Sequence, residues 1–124
     1  MESEPAERHA ALCRRYLQAY AAKDLQTIAA LLAPGVVLRD WQLRVVGRDA
    51  ALAETQRNFD AATALQIEVL RLHATAESAV AELRIVVELV AQQTVELFVV
   101  DVLDFDAQGQ ISAIRAYKGR GEQD

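Results

Sequence analysis

The stretch 94–105, TVELFVVDVLDF, decides the fold. Successive side chains of a strand point to opposite faces, so Leu97, Val99, Asp101, Leu103 and Phe105 share one face and Phe98, Val100 and Val102 the other. Both faces are therefore apolar. Helices that cover one leave the second in need of a cover, and a partner subunit is the simplest one, so a homodimer through the outer sheet face is expected. A loop or the C-terminus is the alternative cover.

The same two-residue period extends on either side. Leu65, Ile67 and Val69 alternate with Gln66 and Glu68. In 80–91, Ala81, Leu83, Ile85, Val87 and Leu89 lie on one face. A last strand, 110–118, follows the turn Asp106-Ala107-Gln108-Gly109. Towards the N-terminus the period becomes helical. In 5–22, Ala10, Cys13, Leu17 and Tyr20, with Tyr16 beside them, form an apolar stripe, and Arg14, Arg15 and Gln18 take the wet side. Asp24 reads as the N-cap of a second helix, 25–32, which Pro34-Gly35 ends. Two short β-rich runs, 36–40 and 43–46, flank Trp41-Gln42, and a third helix spans 49–59 with Leu52, Thr55, Gln56 and Phe59 inward. Helices first and neighbouring strands after them predict an α+β fold, its antiparallel sheet covered by helices on one side.

A chain of 124 residues is expected to form one domain over 1–124, with 1–5 and 119–124 as frayed tails. Its apolar share of 52% is that of an ordinary globular protein, and 13 basic against 18 acidic residues leave a net charge of −5. That balance lacks the electrostatic footprint of a nucleic-acid binder or of a protein drawn to anionic membranes. The longest apolar runs, about six residues, fall short of a membrane span. Residues 1–7 are acidic and polar, unlike a signal peptide, and a cytoplasmic location is expected. One cysteine, Cys13, and two histidines, His9 and His73, show no metal-ligand spacing, so no metal site is expected. No phosphate loop or nucleophile elbow is present, and Ser3, Ser78 and Ser112 fit no triad.

Three side chains stand out as chemistry. Asp101 interrupts an apolar strand face; buried without a cation, such a carboxyl stays protonated near neutrality and donates a hydrogen bond. The competing reading pairs it with an arginine such as Arg115 or Arg84. Asp40, at a strand end beside Trp41, is a candidate base or an ordinary turn aspartate. Tyr16 is a candidate donor or a core tyrosine bonded to some carbonyl. Tyr20, Trp41, Phe59, Val99, Leu103 and Phe105 are the expected cavity wall. Should Arg44, Arg71 and Arg84 line the cavity instead, the ligand would be anionic and Asp101 ionised.

Taken together, these residues resemble a known family. RYLQAYAAKDL at 15–25, IAALLAP at 28–34 and VLRD at 37–40 look like the first helices and strand of the ketosteroid isomerases, and VDVLDFD at 100–106, GQI at 109–111 and IRAY at 114–117 look like their last two strands. The resemblance spans nearly the whole chain. It extends to the NTF2-like group, with its SnoaL-like polyketide cyclases, scytalone dehydratase and limonene epoxide hydrolase. It implies a cone: a curved, mixed or mainly antiparallel sheet wrapped around a pocket and closed by about three helices.

Carried over position by position, the family's oxyanion-hole tyrosine falls on Tyr16, its base on Asp40 and its protonated aspartic acid on Asp101. The protonated state of that acid is a property of the family. The resemblance implies that Asp40 moves a proton on a small apolar ketone while Tyr16 and Asp101 hold the enolate oxygen, with no cofactor. The sequence departs from the family at Trp41, where proline is usual, in a shorter hairpin between Asp40 and Gly47, and at Thr55, where a supporting tyrosine often stands; Tyr20 is a possible substitute. Two other functions fit: a SnoaL-like cyclase or dehydratase acting on a polyketide-like substrate through Asp40, and a non-catalytic dimer that binds small molecules. A fourth reading, the first helix as a partner-binding helix, conflicts with the need of the sheet's inner face for that helix.

Overall fold

The computed structural model describes residues 4–121. Its element order is α1 (Glu4–Ala21), α2 (Leu25–Leu31), β1 (Leu32–Arg39), β2 (Arg44–Val46), α3 (Arg48–Ala61), β3 (Ala62–Ala74), β4 (Ser78–Leu89), β5 (Thr94–Phe105) and β6 (Ile111–Gly119). The strands form one sheet in the order β2-β1-β6-β5-β4-β3. All neighbours are antiparallel except β1 and β6, which run parallel and make the sheet mixed. This is the α+β architecture expected. Glu4 and Pro5, read as tail, open α1, Gly119 closes β6, and Arg120 and Gly121 follow it; the other tail positions, 1–3 and 122–124, lie outside the described residues.

The sheet is curved and unclosed. Register shifts in β3 at Ala62/Ala64 and Val69/Arg71, and between β5 and β6 at Asp104/Phe105, supply local bends that increase twist. Pro34-Gly35 does not end α2. That helix stops at Leu31, and the Pro-Gly pair lies within β1, where the pairing with β6 shifts between Leu32 and Val37. A proline is tolerated there because the irregular stretch asks nothing of its missing N–H.

Turn chemistry fixes the joints. The main chain at Lys23 takes φ 56° after α1, and Asp24 N donates back to Ala19 O at 2.8 Å. The Asp24 carboxylate then accepts from Thr27 N at 3.1 Å and caps α2. Asp106 Oδ1 accepts from the backbone of Gln108 and Gln110, with Gly109 at φ 80° closing the β5–β6 turn.

Helix α1 lies across β3 and β4, and α3 against β1. The core between helices and sheet includes Cys13, Leu17, Ile28, Leu32, Leu83 and Leu103. The inward side of α3 is Ala51, Glu54, Thr55 and Phe59; Gln56, expected inside, is exposed. Glu54 is tolerated there because its carboxylate pairs with Arg57. Among the described residues no helix is long and apolar enough to cross a membrane.

Candidate active site

The concave side of the sheet and helices α1 and α3 enclose a cavity of about 320 Å³. Its far wall is aliphatic, with Leu65, Ile85, Val87 and Leu97 among the lining side chains. Tyr16, Asp101 and Asp40 all line this one cavity.

Asp101 sits mid-strand in β5. Its partners across the sheet are Ala81 on β4 and Ala116 on β6, which offer neither a hydrogen bond nor a charge. Its carboxyl has no hydrogen-bond or ion-pair partner among the described residues. The carboxyl is enclosed by protein and partly accessible only because the cavity reaches it. Burial pushes its pKa up to about 7. The arginines considered as its partners are engaged elsewhere: Arg115 with Asp104, and Arg84 with Glu68 and Glu96.

Tyr16 is buried in the middle of α1, where the helix crosses the sheet. Burial, reinforced by the nearby Asp101, holds its phenol well above the usual pKa, so it keeps its proton and is able to donate a hydrogen bond. It has no hydrogen-bond partner among the described residues, which sets aside the reading of a core tyrosine tied to a carbonyl. Cys13, one turn earlier, is fully buried, and desolvation pushes its thiol up to about 12, so it stays a protonated thiol at neutral pH.

Asp40 follows β1. Its Oδ1 accepts from Gln42 N at 2.7 Å and Leu43 N at 3.0 Å, and its own N–H donates to Leu43 O at 3.0 Å. The aspartate therefore builds the 40–43 turn, as the structural reading of it held, and still lines the cavity. One oxygen is committed to the turn; Oδ2 has no partner among the described residues. The two readings are compatible because a carboxylate has two oxygens.

The expected cavity wall divides. Tyr20, Trp41 and Val99 line the cavity. Phe59, Leu103 and Phe105 do not. Phe59 is buried behind Tyr20, meeting its ring edge-on at 5.0 Å. Leu103 and Phe105 share the Asp101 face but lie further along β5, under α1; there Phe105 stacks on the buried His9 ring at 4.1 Å, and His9 Nδ1 bonds Thr75 O at 3.0 Å. Alternation along the strand gives the face, not where along it the helix closes down. Arg71 and Arg84 are paired with glutamates, Arg71 with Glu82, away from the cavity.

Two polar cavity residues escaped the sequence reading. Asn58 stands at the mouth and donates from Nδ2 to Tyr20 Oη at 3.1 Å. Its position three residues after Thr55, on the same side of α3, was the available signal. Gln42 also lines the mouth. Thr55 Oγ1 donates to Ala51 O at 2.8 Å, so its hydroxyl serves the helix. The Tyr20 phenol, held up by burial against the pull of the Asn58 hydrogen bond, retains its proton.

The SnoaL-like domain family matches residues 13–114. A steroid Δ-isomerase of Nocardioides simplex is 35% identical over 108 residues, 87% of each chain. A protein of Kribbella flavida assigned as a ketosteroid isomerase has a solved structure that superposes with TM-score 0.79 at 25% identity, covering 96% of this chain and 83% of that one. One assigned as a SnoaL-like polyketide cyclase, from a Jannaschia species, superposes with TM-score 0.84 at 16% identity, covering 95% and 90%; at that identity the likeness is one of fold.

Proposed function

This chain belongs to the SnoaL-like domain family of NTF2-like proteins, and we propose that within it the chain is a cofactor-independent isomerase of the ketosteroid Δ-isomerase type. The observation that carries this reading is the partnerless Asp101 carboxyl facing the same apolar cavity as the Tyr16 phenol, with Asp40 on its wall.

In the proposed reaction Asp40 Oδ2 removes a proton from the carbon between a ketone and an isolated double bond. The C–H electron pair becomes a new C=C to the carbonyl carbon, and the carbonyl π pair moves onto oxygen. That oxygen accepts hydrogen bonds from Tyr16 and the neutral Asp101. Asp40 returns its proton to the far end of the former double bond, the oxygen re-forms C=O, and the product is conjugated. Donors aimed at the developing charge in a water-poor pocket contribute roughly 3–4 kcal/mol each to transition-state stabilisation. A ligand that fills the cavity also displaces water from around Asp101 and favours its neutral form further.

The test is ultraviolet detection of the conjugated product from a Δ5-3-ketosteroid, with Asp40→Asn alongside. Conversion that collapses in the variant is the expected result; conversion no faster than buffer removes steroid isomerisation. A cyclase or dehydratase acting on a polyketide-like substrate is the second reading. It is favoured by the half-exposed Trp41 at the mouth, in place of the isomerases' usual proline, and it would use the same Asp40.

The proposed assembly is a homodimer through the outer sheet face. Val80, Val100, Val102 and the exposed Tyr117 adjoin one another there by register. Gly121 already covers Phe98 on that face, so close that a β-carbon would run into the ring. Sedimentation velocity tests the dimer. The proposed location is cytoplasmic.

A further inference from the structure

A second cavity, of about 500 Å³, opens where β6 runs on past the end of β1 and the 40–43 turn folds beside it. The two cavities share Asp40, Trp41, Gln42 and Ala116, so the outer one adjoins the inner one as a vestibule at the sheet edge, with Arg39 and Arg44 reaching it from the outer sheet face and Lys118 from the inner face by register. Their chemistry is opposite. The inner wall is aliphatic; the vestibule is lined by Arg39, Arg44 and Lys118.

These three cations converge on one cavity. Arg39 and Arg44 stand directly opposite each other across the β1–β2 pair, an arrangement in which like charges repel. Neither they nor Lys118 makes a salt bridge among the described residues. Lys118 Nζ lies 6.0 Å from the centre of the Trp41 ring. The one carboxylate lining the vestibule, Asp40, is engaged through Oδ1 by the backbone of its own turn. In a protein of net charge −5, three unmatched cations at the mouth of an apolar cavity form a local field of the opposite sign.

We infer that the vestibule binds the anionic end of an amphipathic ligand, a carboxylate, sulfate or phosphate ester, whose apolar body fills the inner cavity. This rests on the inner cavity being the ligand site, as in the function proposed above, and not on the isomerisation itself. The anion takes the place of the missing counter-charge between Arg39 and Arg44, and Trp41 lies where apolar body and charged end meet.

The test compares two probes of the same apolar body, 1-anilinonaphthalene-8-sulfonate and its uncharged counterpart N-phenyl-1-naphthylamine. Trp41, the sole tryptophan, reports occupancy by quenching. At low salt the sulfonate is expected to bind about tenfold more tightly, and the advantage to shrink as salt is added. It is expected to vanish in the triple variant Arg39→Ala/Arg44→Ala/Lys118→Ala and to persist in Arg14→Ala/Arg15→Ala, exposed arginines of α1. Lys118→Glu, a single exposed substitution, should reduce the preference on its own. 2-Naphthol, small enough for the inner cavity, should displace both probes. Equal affinities of the two probes, an advantage that survives the triple variant, or failure of 2-naphthol to compete overturns the inference. Neither probe carries a ketone, so a failed steroid assay leaves the vestibule standing, and equal probe affinities leave the isomerase reading standing.

Discussion

Arg115 donates both terminal guanidinium nitrogens to Asp104, at 2.6 and 3.2 Å, and leaves Asp101 alone on the opposite face of β5. Two acids three residues apart thus receive opposite environments. Asp104 has a forked cation; Asp101 has two alanines and a cavity.

The stability of the fold should carry the mark of Asp101. Its folded pKa, about 7, stands above the unfolded value, so between the two the native state holds a proton that the unfolded chain has lost. The stabilising share is complete below the unfolded pKa and is lost as pH rises through about 7. Urea unfolding of the wild type should therefore weaken across that window relative to Asp101→Asn, by up to roughly 4 kcal/mol at about pH 8. A difference between the two proteins that does not change with pH would contradict this.

Catalysis should depend on the same proton. The second-order rate constant for a Δ5-3-ketosteroid is expected to fall above about pH 7, where free Asp101 ionises, and Asp101→Asn should flatten that limb. Tyr16→Phe removes the other donor and should lower kcat about 100- to 1,000-fold with a smaller change in KM. Steady-state kinetics across pH measures both.

Substitutions of Asp40 separate the base from the turn. Asparagine keeps an Oδ1 to accept from Gln42 and Leu43, so Asp40→Asn should leave thermal stability within about 0.5 kcal/mol while activity falls roughly 100- to 10,000-fold. Asp40→Ala loses the turn as well and should cost about 1 kcal/mol more in chemical denaturation.

The Tyr20–Asn58 hydrogen bond ties α1 to α3 at the cavity mouth. Tyr20→Phe and Asn58→Ala should each destabilise by about 0.5–1 kcal/mol, and the double variant by little more than either alone. Simple additivity in the cycle would mean that the bond contributes nothing to stability.

Leu103 shares a strand face with Asp101 but belongs to the core. Leu103→Ala should cost about 2–5 kcal/mol and leave 2-naphthol affinity nearly unchanged. A comparable loss of affinity in the folded variant would place Leu103 at the cavity after all.

Much of this was legible in the chain. The two-residue period of 94–105 gave β5 to its ends, and the stripe from Ala10 to Tyr20 gave α1 and put Tyr16 inside, because periodicity is a local property of covalent geometry. Residue types at turns, Asp24, Asp40 and Asp106, announced hydrogen bonds that the backbone then made. The resemblance to the ketosteroid isomerases supplied three candidate positions, and the family match agrees with it. What only the tertiary structure decided is which charges meet. Register sets Arg115 beside Asp104, turns Asp101 between two alanines and opposes Arg39 to Arg44, and packing stacks Phe105 on His9. None of these follows from local pattern. Strand pairing joins residues far apart in sequence, a one-residue slip exchanges faces, and the electrostatic state of a carboxyl depends on what the other strands bring to it.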